Sequence, residues 1–388
     1  MECDFNLRLG YTPRSPCGVT KAYGKRRMKI LFLMLGLRDF KSGGYHFNFK
    51  MVEALHNAGH ETDIVHFTTI PEKIRGSRIG GSFHALIRVL RYRPDLIIIS
   101  KSYSFMIPLR LFLALKRYPI LYMVHHLEWH DRTGGASAAR KRAVRWFISC
   151  GTKVWVNSRS TADDVASLGI PLDTIHIVPP GFQRFELPPE NRCMEPVTIL
   201  SVGTVCPRKD QLTLLKACAG LGQRSFRVLI LGDETTDTVY TEKVKREAEK
   251  DSLRGKVVFP GHLPLCDLYR LYGESSILAN LSHWEGYGIA VAEAMWAGLP
   301  IVACSAGAVP ELVTHGVEGF LVSPGNVEGC TEYLSELIDN RALREKMSIN
   351  ARKRAMKLFT WHETGREFVN LAEETAGCKI RRNQPHQR

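Results

Sequence analysis

Residues 277–303 read ILANLSHWEGYGIAVAEAMWAGLPIVA. Ile277–Asn280 is a short apolar run of strand character, Ile289–Ala297 an apolar helix pattern, and Ile301–Ala303 strand-like again. Strand, glycine turn, helix and strand in that order make one βαβ unit, and such units build parallel sheets covered by helices. Gly286 and Gly288 fall in the strand-to-helix turn. Glycine there lets backbone approach a ligand, and helix amides and dipole favour phosphate.

The same alternation extends in both directions. Upstream, strands are expected at Val197–Val202, Arg227–Leu231 and Val257–Phe259, with helices at Asp210–Ala219, Thr238–Lys250 and Leu265–Tyr272. Downstream come a strand at Gly319–Val322 and helices at Val327–Asp339 and Arg341–Leu358. The N-terminal half repeats the pattern, with strands at Lys29–Leu35, Glu61–Phe67, Leu96–Ser100, Ile120–Val124, Lys153–Asn157 and Ile175–Val178. Its first helix, Gly44–Ala58, is expected to bury Phe47, Met51, Leu55 and Ala58. Between the halves lies the proline-rich stretch Pro179–Pro196, the best boundary. The fold class is therefore α/β, with two Rossmann-like domains, 28–190 and 191–360, facing across a cleft. A C-terminal helix and basic tail (361–388) follow, the C-terminal helices packing back toward the first domain. Ligands of such sheets lie outside the carboxyl ends of the strands, which makes the cleft the default site.

Bulk composition fits this reading. A chain of 388 residues with 44% hydrophobic and 24% charged residues suits two globular domains. Ten cysteines are scattered without a CxxC pair or metal-type spacing, as expected of a protein in the reducing cytoplasm. No run of 18 apolar residues could form a spanning helix. Residues 1–27 are polar, basic and without periodicity, and read as a disordered leader, with Met28 a second candidate start.

Charge is uneven. Residues 1–190 hold 28 Lys and Arg against 15 Asp and Glu, a net +13, while the remainder of the +14 chain carries +1. Part of that excess is the leader; the rest lies in segments such as 85–93, 103–117 and 138–148, where basic and bulky apolar residues mix. These segments suit either an anionic membrane surface or ordinary packing of amphipathic helices.

Two constellations carry chemistry. Glu285 precedes the helix and can accept hydrogen bonds from sugar hydroxyls; Glu293 lies one to two turns inside it, among Val291, Ala292, Ala294 and Met295. Taken singly, each could be a loop or solvated helix residue, but an unpartnered carboxylate in apolar surroundings is costly. The second is SVGTVCPRKDQLTLLKA (201–217), where Arg208 and Lys209 follow a strand ending at Gly203 and could neutralise a diphosphate.

Through these segments the chain resembles the family-4 retaining glycosyltransferases of the GT-B fold, over roughly residues 28–370. EGYGIAVAEAMWAGLPIVACSAGAVPELV resembles that family's E-x7-E segment, SVGTVCPRKD its diphosphate loop, and GVEGFLVSPGN (316–326) the element after the donor site. The resemblance implies that Glu285 binds the donor sugar, Glu293 the ribose hydroxyls and Lys209 the diphosphate, with Gly286, Tyr287, Gly288 and Ile289 adding backbone amides. Where the family often has arginine after the loop glycine this chain has Thr204, and Arg208 is the candidate substitute. KSGGYHFNFKMVEALHNAGHE (41–61) is similar to the family's glycine loop, which would bring Gly43 and Gly44 to the phosphates. MVHHLEWHD (123–131) is similar to its histidine loop, with His125 beside the sugar and His126 where aspartate is usual. The expected activity is metal-independent transfer of a hexose, with retention, from a UDP- or GDP-linked sugar to a glycan or lipid-linked acceptor. No cofactor is expected, and the expected location is cytoplasmic, with a peripheral position on the membrane's inner face allowed by the basic segments.

Other classes stay open at this point. The basic half would suit a nucleic-acid-binding protein, although no recognition-helix motif or aromatic-interleaved basic strand accompanies it, so no nucleic-acid partner is expected. A nucleotide-sugar epimerase or a phosphorylase could use the same fold.

Overall fold

The computed structural model describes residues 27–34, 43–66, 80–100, 118–127, 129, 136–186 and 195–382. The leader through residue 26, the basic segment 103–117, Glu128, His130 and Asp131 of the histidine loop, and the tail from residue 383 lie outside them.

The first sheet is built from β1 (Lys29–Met34), β2 (Glu61–His66), β3 (Leu96–Ser100), β4 (Ile120–Val124), β5 (Lys153–Val156) and β6 (Ile175–Ile177). Its helices are α1 (Gly43–Asn57), α2 (Gly80–Tyr92), α3 (Ala138–Ile148) and α4 (Arg159–Ser167). The second sheet contains β7 (Val197–Val202), β8 (Phe226–Leu231), β9 (Val257–Gly261), β10 (Ile277–Asn280), β11 (Ile301–Cys304) and β12 (Gly319–Val322). With it go α5 (Gln211–Ala219), α6 (Thr238–Ala248), α7 (Leu265–Glu274), α8 (Ile289–Trp296), α9 (Val309–Leu312), α10 (Val327–Asp339) and α11 (Arg341–Ala355). The chain ends in α12 (Trp361–Arg382).

All pairings in both sheets are parallel, in the orders β2-β1-β3-β4-β5-β6 and β12-β11-β10-β7-β8-β9. Strands covered on both faces need side chains that are apolar on both, which is why LIIIS and ILYMV are buried at every position. In the second sheet the order reverses between β7 and β10, and the crevice outside their carboxyl ends is where a ligand fits.

The first sheet has a core on each face. Leu31, Leu33, Ile97 and Ile99 pack toward Val144, Phe147 and Ile148 of α3. Ile30, Phe32 and Met34 pack toward Phe47, Met51 and Leu55 of α1 and toward Phe368, Leu371 and Ala372 of α12. Burying Phe368 and Leu371 contributes about 1.5–3 kcal/mol each before ordering costs, enough to return the last helix to the first domain. Lys153 Nζ adds an ion pair to Glu374 Oε2 at 2.6 Å, and His60 Nε2 lies 3.3 Å from Glu373 Oε1.

Boundaries shift in a few places for local reasons. Helix α1 stops at Asn57, where the Gly59 and His60 amides close on the His56 and Leu55 carbonyls, so Ala58 is exposed and outside the helix. The polar residue Asn48 is buried in its place. Helix α11 ends at Ala355 rather than Leu358, and the short α9 was not legible from its four residues. Among the described residues, no helix is long and apolar enough to cross a membrane.

Candidate functional site

Two loops leave the crevice between β7 and β10. After β7 the chain passes Gly203 and Thr204, makes a tight helical turn at Pro207–Lys209, and enters α5 through Asp210. Asp210 adopts a left-handed conformation (φ 48°), and its carboxylate accepts the Thr213 amide at the helix start and faces His283 Nε2 at 2.9 Å. After β10 the loop Leu281–Gly288 runs to α8, and the His283 amide donates to the Arg208 carbonyl at 2.8 Å. Each loop thus braces the other, and the bracing fixes where Lys209 points. A side chain at Gly203 (φ 147°) would lie 2.9 Å from Lys209 Cε, so glycine is required for the lysine to lie across the strand end.

Glu285 is the focus of this crevice. Lys209 Nζ donates to its Oε1 at 2.5 Å, Ser282 Oγ lies 2.6 Å from the same oxygen, and Arg208 Nη1 is 3.8 Å from Oε2. Arg208 also donates to the Trp284 carbonyl at 2.8 Å. Burial alone would push the Glu285 carboxyl up; the Lys209 and Arg208 charges, with hydrogen bonds from Lys209 and Ser282, outweigh it and hold it at about 2. The group is a fixed anion and hydrogen-bond acceptor, not a proton donor.

Helix α8 begins at Gly288 with no side chain capping it, and its first residue, Ile289, lies against Gly43 of the first domain. Tyr287 is buried and Ile289 is half-buried. Glu293 lies one turn further along α8. It is buried, and the Tyr272 hydroxyl of α7 lies 3.1 Å from its Oε2. Burial raises this carboxyl to about 7, the Tyr272 hydrogen bond pulling the other way.

The first domain completes the cleft. Gly43 and Gly44 open α1; a side chain at Gly43 would touch Ile289 at 3.7 Å, and one at Gly44 would touch the His125 ring at 3.7 Å. The N-termini of α1 and α8 therefore converge from opposite domains. His125 Nε2 is 3.0 Å from Asn48 Oδ1, whose amide nitrogen is 3.1 Å from Ser100 Oγ, so the ring is tied to α1 and β3. Phe47 and Trp155 hold the ring edge-on at 5.4 and 5.1 Å. His126 is half-buried in the same loop.

Direct contacts cross the cleft. Within the first domain Asn157 Nδ2 donates to the His125 carbonyl at 2.8 Å, and from the second domain Gly286 packs on both: a side chain there would overlap that carbonyl and lie 2.8 Å from the amide. The Glu311 carboxylate of α9 accepts the Arg159 and Ser160 amides at the start of α4, at 3.0 and 2.8 Å.

Of the residues singled out from the sequence, Arg208 and Lys209 stand within 3.8 Å of Glu285, Gly203 lies against Lys209, Gly43 lies against Ile289 and Gly44 against His125, while Glu293 is held by Tyr272. Thr204 contributes its carbonyl to Gln211 Nε2 at 3.1 Å, and Arg208 Nη1 stands 3.8 Å from Glu285 Oε2. Sequence reasoning missed Asn48, Asn157, Asp210, Tyr272, Ser282 and Glu311. Asp210 had a signal, an acidic residue just before a helical pattern; Ser282 acts on Glu285 only three residues on, and the others act through contacts distant in sequence.

Residues 183–354 match the family model of glycosyl transferases group 1, and residues 43–183 that of glycosyltransferase family 4. An MMP alpha-(1->4)-mannosyltransferase of Mycolicibacterium hassiacum is 29% identical over 273 residues, spanning 66% of this chain and 66% of that protein. Sucrose-phosphate synthase of Thermosynechococcus elongatus superposes with a TM-score of 0.78 at 17% identity, over 91% of this chain and 100% of that one. Anabaena HepE, solved in complex with UDP-glucose, superposes with a TM-score of 0.73 at 18% identity, over 90% and 100%. At these identities the likeness to the solved structures is one of fold, the two-domain GT-B arrangement.

Proposed function

Because the chain belongs to the group 1 glycosyltransferases, we propose that it moves a hexosyl group from a UDP- or GDP-linked sugar to a glycan or lipid-linked acceptor. Transfer is metal-independent and retains the anomeric configuration. The observation that carries the donor half is the convergence of Arg208, Lys209 and two helix N-termini on one crevice that also holds the ionised Glu285. That set matches a diphosphate joined to a polyol: cations and amides for the phosphates, a carboxylate for sugar hydroxyls.

In this reading the diphosphate lies between the α1 and α8 amides, and Lys209 shares its protons between phosphate and Glu285. Glu285 accepts from a hexose hydroxyl, Glu293 accepts from the ribose hydroxyls, and His125 orients the sugar from the first domain. The bond from C1 to the phosphate oxygen breaks with its electron pair leaving on the diphosphate. That charge develops against Arg208, Lys209 and the amides, which are in place beforehand. The acceptor hydroxyl forms its bond to C1 on the face the diphosphate leaves, and its proton passes to the departing phosphate oxygen. Retention follows from this same-face attack.

The acceptor reading draws on the first domain. Lys141, Arg142 and Arg145 are exposed on α3, and Ile87, Leu90 and Arg91 on α2, a mixture suited to a lipid-linked acceptor at an anionic membrane. The test is a thermal-shift panel of UDP-, GDP- and ADP-sugars on the wild type, Lys209→Ala and Glu293→Ala. One nucleotide sugar should raise the wild-type melting temperature and lose most of that effect in both variants. If none raises it, the transferase reading fails.

A further inference from the structure

Glu293 raises a question that its proposed contact with ribose does not answer. A carboxylate this deeply buried needs a partner for each protonation state, and among the described residues no cation pairs with it. The titratable groups facing it are Tyr269 and Tyr272, both on α7. On α11, which also packs on α8, Arg352 approaches Gly298 beyond the helix's far end and Arg354 donates to the Glu311 carbonyl.

The Tyr272 hydroxyl stands between two acceptors, Glu293 Oε2 at 3.1 Å and the Ala290 carbonyl at 3.3 Å. It has one proton to give. When Glu293 is ionised, the tyrosine proton goes to the carboxylate, the stronger acceptor. When Glu293 is protonated, the carboxyl can donate to the tyrosine oxygen and the tyrosine proton can turn to Ala290. Both states are hydrogen-bonded without moving a heavy atom. The Tyr272 ring is itself fixed: it is fully buried, and Phe185 stacks on Tyr269 at 4.4 Å and lies at 6.1 Å from Tyr272, nearly parallel to both.

We infer that Tyr272 is a positioning residue for the donor nucleotide, holding Glu293 in the orientation and ionisation state that accept the ribose hydroxyls. The inference rests on the proposed role of Glu293 in donor binding. Since only the ionised carboxylate can accept from both hydroxyls, nucleotide affinity follows the ionisation of Glu293. Removing the tyrosine hydroxyl destabilises the anion more than the acid, and so moves the dependence to higher pH.

The experiment is calorimetric titration of UDP and of GDP between pH 6 and 9 on wild type, Tyr272→Phe and Glu293→Gln. With Glu293 titrating near 7, wild-type affinity should fall about tenfold from pH 8 to pH 6 relative to Glu293→Gln. Titration of the nucleotide's own phosphate is common to the three proteins and cancels. Tyr272→Phe should shift the midpoint up by about one pH unit, making binding about threefold weaker at pH 7.5 yet equal to wild type at pH 9. Recovery at high pH separates this role from structural damage, which pH would not repair. The 2′-deoxy form of the preferred nucleotide should bind more weakly to wild type and with little change to Glu293→Gln.

A midpoint unchanged in Tyr272→Phe, or a loss equal at every pH, overturns the role of Tyr272 while leaving the donor site standing. If neither nucleotide binds at any pH, the donor reading itself fails and takes this inference with it.

Discussion

Replacing Lys209 with methionine removes the closest charge from Glu285 while keeping much of the apolar stem that crosses Gly203. Both side chains are largely buried, at 15% and 10% exposure, and the carboxylate would be left with Arg208 at 3.8 Å and the Ser282 hydroxyl. In the folded wild type the Glu285 carboxyl sits at about 2 against an ordinary 4.5. A depressed carboxyl stabilises the fold above its ordinary value and ceases to do so as pH falls through the folded one. The difference of about 2.5 pH units corresponds to about 3 kcal/mol at pH 7. That figure is the net of Lys209, Arg208 and Ser282 against burial; breaking a buried pair from one side costs about 3–5 kcal/mol, and the loss expected for Lys209→Met is about 3 kcal/mol. Urea unfolding followed by tryptophan fluorescence at pH 7 measures it, urea being preferred because it does not screen charge. The gap should narrow as pH is lowered toward 2. Adding Glu285→Gln should restore at least about 2 kcal/mol, since replacing both partners leaves no buried charge alone. A single-variant loss below about 1 kcal/mol, or no recovery in the double variant, would refute the reasoning about this crevice.

Glu293 should show the opposite sign. Its folded-state carboxyl lies above the ordinary value, so stability is greatest below pH 4.5 and declines as pH rises to about 7. Between pH 5 and pH 8 wild type should lose about 2.5 kcal/mol relative to Glu293→Gln, measured by paired urea titrations. Gly286→Ala would drive a methyl into the His125 carbonyl across the cleft. Each domain should keep its fold, with the melting temperature within about 3 °C of wild type, while turnover falls by about tenfold or more. Glu311→Ala deprives the Arg159 and Ser160 amides of their acceptor across the cleft, at a cost of about 0.5–2 kcal/mol in the closed arrangement. Small-angle scattering should then report a larger radius of gyration than wild type; an unchanged radius would deny Glu311 a part in holding the cleft.

The fold was legible because parallel strands leave a direct mark. KILFLM, LIIIS and ILYMV are too short for helices and too uniformly apolar for a half-exposed sheet. The meeting of Arg208 and Lys209 with Glu285 was legible for a related reason: these residues are carried on two strand-to-helix loops with glycines at the turns. What periodicity could not reveal is which groups hold those residues. Tyr272 lies 21 positions before Glu293 and Asn48 lies 77 before His125, so only the folded chain brings them together. The left-handed Asp210 was hidden too, because an aspartate before a helix looks the same whether its backbone is extended or left-handed. The acceptor side was least legible, since basic residues on amphipathic helices serve packing and binding alike.

Splitting of a nucleotide sugar in this crevice is measured by the release of nucleoside diphosphate. Wild type incubated with UDP- and GDP-hexoses, with and without a membrane extract as acceptor source, should liberate UDP or GDP from one donor class. The rate should rise on adding acceptor and drop by about a hundredfold or more in Lys209→Met and Glu285→Gln. Release that is absent with every donor and acceptor, or that survives both substitutions undiminished, would contradict the account.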